Sequence, residues 1–454
     1  MFRIQFWIDF TQIRVSVNPR PLFPISPHPE TQFPLPTLPS PARPAAFNER
    51  YTLSTHIVPA AYPRVAPDFP PLEPIQTGLG KEEKKRAWLD RTVELVRMHE
   101  EVRELGKDCG NAVLWNCVNR YSLSKKGDSA AGKGKGLTLF FAHANGFPKE
   151  LWEPALQHLL TAYSGPEIHE IWTWEAVSHG DSYLLNKERL PGYCDWMDNS
   201  RDMMNFFVNY LPSAAKPSVL PVHLHRVPSA EAEVRQTSGY TERTLVVIGH
   251  SYGGATSAVL AAHCPAIFSS LVLVDPTIRQ YVPGVGKTQR GYDMVRGALS
   301  RRDGWASKAE ALRLFQASPF LAAWDPAVLS SYAEHGLIPD PASPHDGVKL
   351  KTPGAQEAMI FSAMRSSGEA WELLERIDER VALRWMMPGD MHAASQPIDG
   401  EEAMRAKVWR RPLNASNVRL HAGHLIPHEN PKDFAFDLRS YLERQYGEDK
   451  SAKL

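Results

Sequence analysis

Four cysteines in 454 residues, Cys109, Cys117, Cys194 and Cys264, are too few and too scattered for a disulfide framework or a zinc site, and they suit a reducing compartment. Charge of either sign is not in excess, since 51 basic side chains balance 51 acidic ones. That balance removes the electrostatic footprint of a nucleic-acid binder. The one dense charged run, Lys81-Glu82-Glu83-Lys84-Lys85-Arg86, mixes signs and reads as a solvated helix face. No uninterrupted apolar run reaches the roughly 20 residues of a membrane-spanning helix. Met1 to Ile8 is apolar, but Arg3 and Asp9 and the lack of a small-residue cleavage site argue against a secretory signal.

Proline, by contrast, is concentrated. Ten of the 38 fall in the first fifty residues, in stretches such as Pro34-Leu35-Pro36-Thr37-Leu38-Pro39. Proline at that density cannot form helix or sheet ladders. Residues 16–48 are therefore expected to be extended and disordered, and residues 1–50 to stand outside the folded core.

The most informative stretch is Val246-Val247-Ile248-Gly249-His250-Ser251-Tyr252-Gly253-Gly254. An apolar β-branched run enters Gly-His-Ser-Tyr-Gly, and a helix-compatible run, Ala255 to Ala262, leaves it. Strand, sharp turn and helix with Ser251 at the apex make a G-x-S-x-G nucleophile elbow. Glycine is needed on both sides because the turn strains the serine backbone and side chains there would strike strand and helix. A nucleophilic serine implies an acyl-enzyme and ester, thioester or similar substrates.

The partners of such a serine belong at predictable places. Leu137 to Ala142 reads as a strand ending in His143-Ala144-Asn145-Gly146-Phe147-Pro148. That loop supplies one backbone N–H of an oxyanion hole, with Asn145 as the candidate and Ala144 or Phe147 as alternatives; Tyr252, after the serine, supplies the other. Asn417 to Leu420 reads as a last strand before His421-Ala422-Gly423-His424-Leu425-Ile426-Pro427. A histidine past a late strand is where the general base belongs. His424 is preferred because Gly-His-Leu-Ile-Pro turns into a helix, Glu429 to Leu442, leaving His421 and His428 as bystanders.

With elbow, loop and late histidine in this order, the chain resembles the α/β-hydrolase fold family from about Tyr51 to Tyr446. Ile171 to Ala176 followed by Val177-Ser178-His179-Gly180-Asp181-Ser182 is similar to the family's turn after the fourth strand, usually Arg-Gly-His-Gly-x-Ser. The His-Ala-Asn-Gly-Phe loop and the C-terminal tripeptide are similar to fungal peroxisomal hydrolases, among them lipase-like members and enzymes of host-selective toxin clusters. The resemblance implies an α/β fold, a mostly parallel central sheet flanked by helices, with an inserted helical cap and with neither cofactor nor metal. It offers two positions for the acid of a Ser-His-Asp triad. Asp275 follows the sixth strand, Leu271 to Val274, and Asp390 follows the seventh, Val381 to Met387. Asp275 is preferred because Gly389-Asp390-Met391-His392 departs from the family's Gly-x-x-Asp; Asp390 stands as the alternative.

On this reading residues 51–276 are the first part of the core, 277–380 the cap, 381–446 the last part of the core with His424, and 447–454 a flexible tail. Thr52 to Ala66 and Val113 to Leu123 carry β-type runs around an amphipathic helix, Lys81 to Leu105. Cys194 to Leu211 reads as a helix and Pro212 to Arg243 as an irregular insertion. In the cap, Ala306 to Ala317 and Ala355 to Arg365 are helical, because a structureless loop of this length is uncommon. Its aromatics, Trp305, Phe315, Phe320, Trp324 and Tyr332, either line an apolar pocket or fasten cap to core.

The chain ends Ala452-Lys453-Leu454, a variant of the Ser-Lys-Leu address read by the peroxisomal import receptor. The peroxisome is thus the expected location, with the cytoplasm as alternative, and the expected partners are that receptor and a small acyl substrate. The expected function is a serine hydrolase cleaving an ester or thioester with an apolar acyl group. Two alternatives accompany it: an acyltransferase or tailoring hydrolase of a secondary-metabolite pathway, and a non-catalytic ligand-binding protein on the same fold.

Overall fold

A computed structural model describes residues 17–29, 35–45, 47–76, 78–105, 109–124, 135–161, 163–215, 219–281, 289–343 and 346–447. The tripeptide Ala452-Lys453-Leu454 and most of the expected tail lie outside the described residues. Eight strands form the main sheet: β1 (Tyr51–Pro59), β2 (Trp115–Leu123), β3 (Leu137–Ala142), β4 (Ile168–Trp174), β5 (Thr244–His250), β6 (Ser270–Val274), β7 (Ala382–Pro388) and β8 (Ala415–Leu420). Their order is β1-β2-β4-β3-β5-β6-β7-β8. Only β2 runs against its neighbours, pairing antiparallel with β1 and β4, while β4, β3, β5, β6, β7 and β8 pair in parallel.

Parallel strands must be covered on both faces, so they are apolar throughout rather than alternating with polar residues. β3, Leu-Thr-Leu-Phe-Phe-Ala, and β6, Ser-Leu-Val-Leu-Val, are buried at every position. Successive side chains still point to opposite faces. Phe140, Val247, Leu271, Leu273 and Trp385 face one core, with Trp196, Phe206, Val259 and Leu374. Leu139, Phe141, Val246, Ile248 and Val272 face the other, with Leu156, Phe434 and Leu438. These two layers clamp the ends of β5 and β6, where the functional turns begin.

Between β6 and β7 the chain forms helices Gln289–Ser300, Lys308–Ala317, Pro326–His335, Gly354–Ser362 and Arg365–Leu374. The helical expectation for this stretch is incomplete. Gly304–Trp305, Leu337–Pro339 and Val348–Leu350 form a small antiparallel sheet, each strand too short to leave a periodic signal. Helix Arg365–Leu374 packs on Tyr252–His263, the helix after the elbow, and Gln289–Ser300 packs between Gly354–Ser362 and Lys81–Leu105.

Two further expectations are corrected. Pro212 to Arg243 contains a helix, Ser229–Ser238, ended by Gly239 at φ 75°. It buries only Ala232 and Arg235, so it has no apolar stripe to betray it; Arg235 instead donates to the carbonyls of Phe207 and Val208 at 3.1 Å. Residues 16–48, read as extended and disordered, are extended where described but fastened to the core. Arg20 pairs with Asp195 at 2.6 Å and Glu369 at 2.7 Å, Ser40 donates to Asp181 at 2.7 Å, and Arg43 pairs with Glu153. Proline forbids regular structure here, but buried carboxylates on the core supply anchors that composition alone does not reveal. Among the described residues no helix is long and apolar enough to cross a membrane.

Candidate active site

β5 ends at His250 and the chain reverses into helix Tyr252–His263 through Ser251, whose φ of 54° and ψ of −115° lie outside the regions open to ordinary residues. Three glycines make the reversal possible. A Cβ on Gly249 would lie 2.6 Å from the Cα of Gly254, and one on Gly253 would lie 2.5 Å from the carbonyl oxygen of Ala142. Gly254, outside the five-residue motif, is equally confined, with a Cβ 2.8 Å from the Gly249 oxygen. The Ser251 N–H donates to the Val274 carbonyl at 3.0 Å, and Thr277 N–H donates to the Ser251 carbonyl at 3.0 Å. The elbow is thereby stitched to the end of β6.

The end of β6 carries Asp275, at φ 29° and fully buried. Its Oδ2 accepts from Nδ1 of His424 at 2.7 Å, and Nε2 of His424 is 2.9 Å from Oγ of Ser251. The first bond fixes the proton on Nδ1, so Nε2 is free to accept the serine hydroxyl. Burial alone would raise the Asp275 carboxyl; the hydrogen bond and charge of His424, with Lys407 nearby, hold it below the usual carboxylate range. Asp390 does not reach this group. Its carboxylate accepts the His392 N–H at 2.9 Å on an exposed loop. Of the two acids weighed from sequence, Asp275 alone meets His424.

His424 sits on a loop held from several sides. Its N–H donates to the Ser395 carbonyl at 2.7 Å, Leu425 N–H donates to Ser395 Oγ at 3.1 Å, and Ser395 Oγ donates to Glu429. Glu429 also accepts the Gly423 N–H at 2.7 Å. On the core side, His250 Nε2 donates to the His424 carbonyl at 2.9 Å. His250 is buried and its basicity falls to about 3, which keeps the ring neutral beside His424. The sequence gives no direct sign of a site role for Ser395, Glu429 or Thr277, whose hydroxyl lies 3.0 Å from Ser251 Oγ. Only the proximity of Glu429 to His424 in sequence hinted at any of them.

Asn145 and Tyr252, the residues proposed to present oxyanion donors, line the same cavity as Ser251, as does Ala144. Tyr252 opens its helix, where N–H groups have no intrahelical partner. Among the described residues neither the Asn145 nor the Tyr252 backbone N–H is engaged, whereas Phe147 N–H donates to the Ala144 carbonyl at 3.4 Å. The loop is braced by the His-Gly-Asp-Ser turn. Gly146 N–H donates to His179 Nε2 at 3.0 Å, and Asp181 pairs with the buried Lys149 at 2.8 Å. His421 and His428 take no part in the relay. His428 is buried against Phe147 and Trp324, with centroid distances of 4.8 and 4.7 Å.

Ser251 and His424 open onto a cavity of about 490 Å³. One part of its wall is apolar, with Val96, Trp196, Tyr252, Val295, Ile360 and Phe361. The aromatics of the segment after β6 divide between the two roles expected of them. Trp305, Phe315, Trp324 and Tyr332 pack with Phe147, Leu151 and Leu425 and fasten that segment to the core. Phe320 lines the cavity and is 43% exposed.

A family model described as "Alpha/beta hydrolase family" matches residues 139–438, more than half of the chain. The chain is similar to the type I acyl-CoA thioesterase mpaH of Penicillium roqueforti, at 28% identity over 273 residues, 59% of this chain and 55% of that protein. The chain therefore spans about half the length of this relative. It is also similar to the abhydrolase domain-containing protein ACTT2-1 of Alternaria alternata, 31% identical over 228 residues, 45% of this chain and 84% of that protein. Among solved structures it is similar to the peroxisomal alpha-beta-hydrolase Lpx1 of Saccharomyces cerevisiae, with a TM-score of 0.61 over 87% of this chain and 90% of that one. At 16% identity this last likeness speaks for the fold alone.

Proposed function

The chain belongs to the alpha/beta hydrolase family, and from that premise we propose that it is a serine hydrolase cleaving an ester or thioester whose acyl part is apolar. One observation carries the reading: the relay from Ser251 Oγ through His424 to buried Asp275, with spacings of 2.9 and 2.7 Å. His424 takes the serine proton as Oγ attacks the acyl carbon, and Asp275 stabilises the imidazolium that forms. The N–H groups of Asn145 and Tyr252 receive the developing oxyanion. As the tetrahedral intermediate collapses, His424 returns the proton to the departing thiol or alcohol, leaving the acyl group on Ser251. Water then attacks the acyl carbon as His424 takes its proton. The acyl–Oγ bond breaks as His424 returns that proton to Ser251, releasing the carboxylic acid. The apolar wall supports an apolar acyl group, and similarity to an acyl-CoA thioesterase favours thioesters.

Labelling by a fluorophosphonate probe and hydrolysis of a graded panel of acyl esters and thioesters test this reading. Ser251→Ala should abolish both and leave the fold intact, with a loss of about six orders of magnitude in turnover as for other triad serines. Undiminished labelling of that variant would sink the assignment. We also propose delivery to the peroxisome through Ala452-Lys453-Leu454. A fluorescent protein fused ahead of the C-terminus should give puncta that coincide with a peroxisomal marker and become diffuse when the three residues are removed. A diffuse signal with the tail intact would reduce the tripeptide to coincidence.

A further inference from the structure

The wall of the cavity also carries two arginines that share one acceptor. Arg279 Nη2 donates to the Ile398 carbonyl, and Arg290 Nη1 donates to the same oxygen at 3.2 Å. Arg290 Nη2 adds bonds to the carbonyls of Pro397 at 2.7 Å and Gln396 at 3.3 Å. Two guanidinium groups converging on one oxygen repel each other, and carbonyl dipoles do not cancel their charge. Arg290 is exposed at the rim, yet partial burial and the adjacent Arg279 lower its proton affinity.

Carboxylates do not balance this pair. Asp399 accepts from Arg279 Nε at 2.8 Å, but it is also held by Lys407 at 2.6 Å, so three cations gather around one acid. Asp275, buried behind this wall and the other acid whose charge reaches Arg290, is committed to His424 and to the Ile398 N–H at 3.4 Å. Arg290 has no carboxylate partner among the described residues. Elsewhere on the cavity the arginines are matched: Arg301 pairs with Glu357 at 2.5 Å and Arg365 with Glu369 at 3.2 Å. Positive charge is therefore in surplus at one place, and that place lines the cavity together with Ser251. Arg279 retains 32% of its side-chain exposure, and its Nη1 has no protein partner among the described residues.

We infer that the substrate carries an anionic group, a phosphate or a carboxylate, and that Arg279 and Arg290 receive it at the polar wall of the cavity. This rests on the hydrolase reading and adds a specificity to it. Planar forks of N–H donors match the oxygens of both groups, and a charged ligand relieves the repulsion that the free protein tolerates. The anion has two possible sources, the leaving group of the substrate or the far end of its acyl chain.

One acyl chain presented in three forms tests the inference. The first is its coenzyme A thioester, with phosphates on the leaving group. The second is its N-acetylcysteamine thioester, which is neutral. The third is the N-acetylcysteamine thioester of the same chain ending in a carboxylate. One of the charged forms should exceed the neutral one in kcat/KM by about tenfold to a hundredfold, as a charged hydrogen bond allows. The charged form that does so identifies the source. The advantage should shrink with added salt, fall towards unity in Arg290→Gln and survive in part in Arg290→Lys. Equal kcat/KM for all three forms overturns the inference, as does an advantage that Arg290→Gln leaves whole. If the variant does not fold, the wild-type rates decide, since a preference indifferent to salt also overturns it. Failure of the parent reading looks different: no form is hydrolysed and Ser251 resists the fluorophosphonate, and both proposals then fall together.

Discussion

Oδ2 of Asp275 lies 2.7 Å from Nδ1 of His424, while Oδ1 of the same carboxylate is buried without a hydrogen-bond partner among the described residues. The carboxylate is thus committed to the imidazole through one oxygen, in a setting where an unpaired charge is expensive. Asp275→Asn keeps the shape and removes the charge, and asparagine favours the wrong histidine tautomer. Turnover should fall on the order of 10⁴-fold with melting temperature little changed. Asp390→Asn, on its exposed loop, should stay near wild type. Steady-state kinetics on both variants check the pair, and a severe loss at Asp390 alone would show that the acid lies on the other strand.

Much of this arrangement was legible in the sequence because the residues that form it sit at the ends of strands. Buried parallel strands are continuous apolar runs, so β3, β5, β6 and β7 were visible, and with them the turns holding Asn145, Ser251 and Asp275. The Asp275–Asp390 ambiguity arose because both follow apolar strands, and sequence carries no information about where each turn aims. Ser395 was invisible for a related reason: its two bonds to the His424 loop are made across space from an irregular stretch with no period. The N-terminal segment reads as disordered because proline reports what backbone hydrogen bonds cannot form. It is silent about Arg20, whose anchors lie 175 and 349 residues away.

The strain at Ser251 has a measurable consequence. Its φ of 54° and ψ of −115° suit glycine and no other residue well, and such conformations cost of order 1–3 kcal/mol. Ser251→Gly should therefore be more stable than Ser251→Ala by about 1 kcal/mol, after allowing for the greater chain entropy of glycine. Chemical denaturation of the two inactive variants measures the difference. Equal stabilities would mean that the turn is relaxed.

Gly253 should tolerate nothing larger. A Cβ there would meet carbonyl oxygens of Ala142 and His143 at 2.5 and 2.6 Å, both backbone atoms at the end of β3 that cannot swing aside. Gly253→Ala should lower stability by about 1–3 kcal/mol, the range for overpacked sites, and should also disturb the Asn145 loop that follows. A thermal melt alongside probe labelling would report both effects.

The clasp around His424 should act on rate rather than binding. Ser395→Ala removes the acceptor for the Leu425 N–H and frees Glu429 from one of its partners. An imidazole displaced by even about 1 Å can cost on the order of 10²-fold in turnover. The expected result is a fall in kcat with KM nearly constant, because Ser395 holds the base and not the acyl chain. A rise in KM with kcat unchanged would show that Ser395 acts instead through the substrate cavity, which it also lines.

The strap formed by Arg20 should show itself through pH. Its guanidinium bridges Asp195 at 2.6 Å and Glu369 at 2.7 Å, and the Glu369 side chain is fully buried. Removing one partner of a buried ion pair strands the others, so Arg20→Ala should destabilise the protein by about 3–5 kcal/mol at neutral pH. Burial alone would raise the Asp195 carboxyl, but the charge and hydrogen bond of Arg20 hold it below the usual range. A folded pKa below the unfolded value, which is about 3.9, means that this stabilisation is present in full above that pH. It is lost as pH falls through the folded value. The stability gap between wild type and Arg20→Ala should hence be widest near neutrality and close on acidification below about pH 4, as followed by urea denaturation across a pH series. A gap that is constant with pH would show that Arg20 acts through packing of its stem, and a gap near zero throughout would show that residues 17–29 are not anchored by this pair.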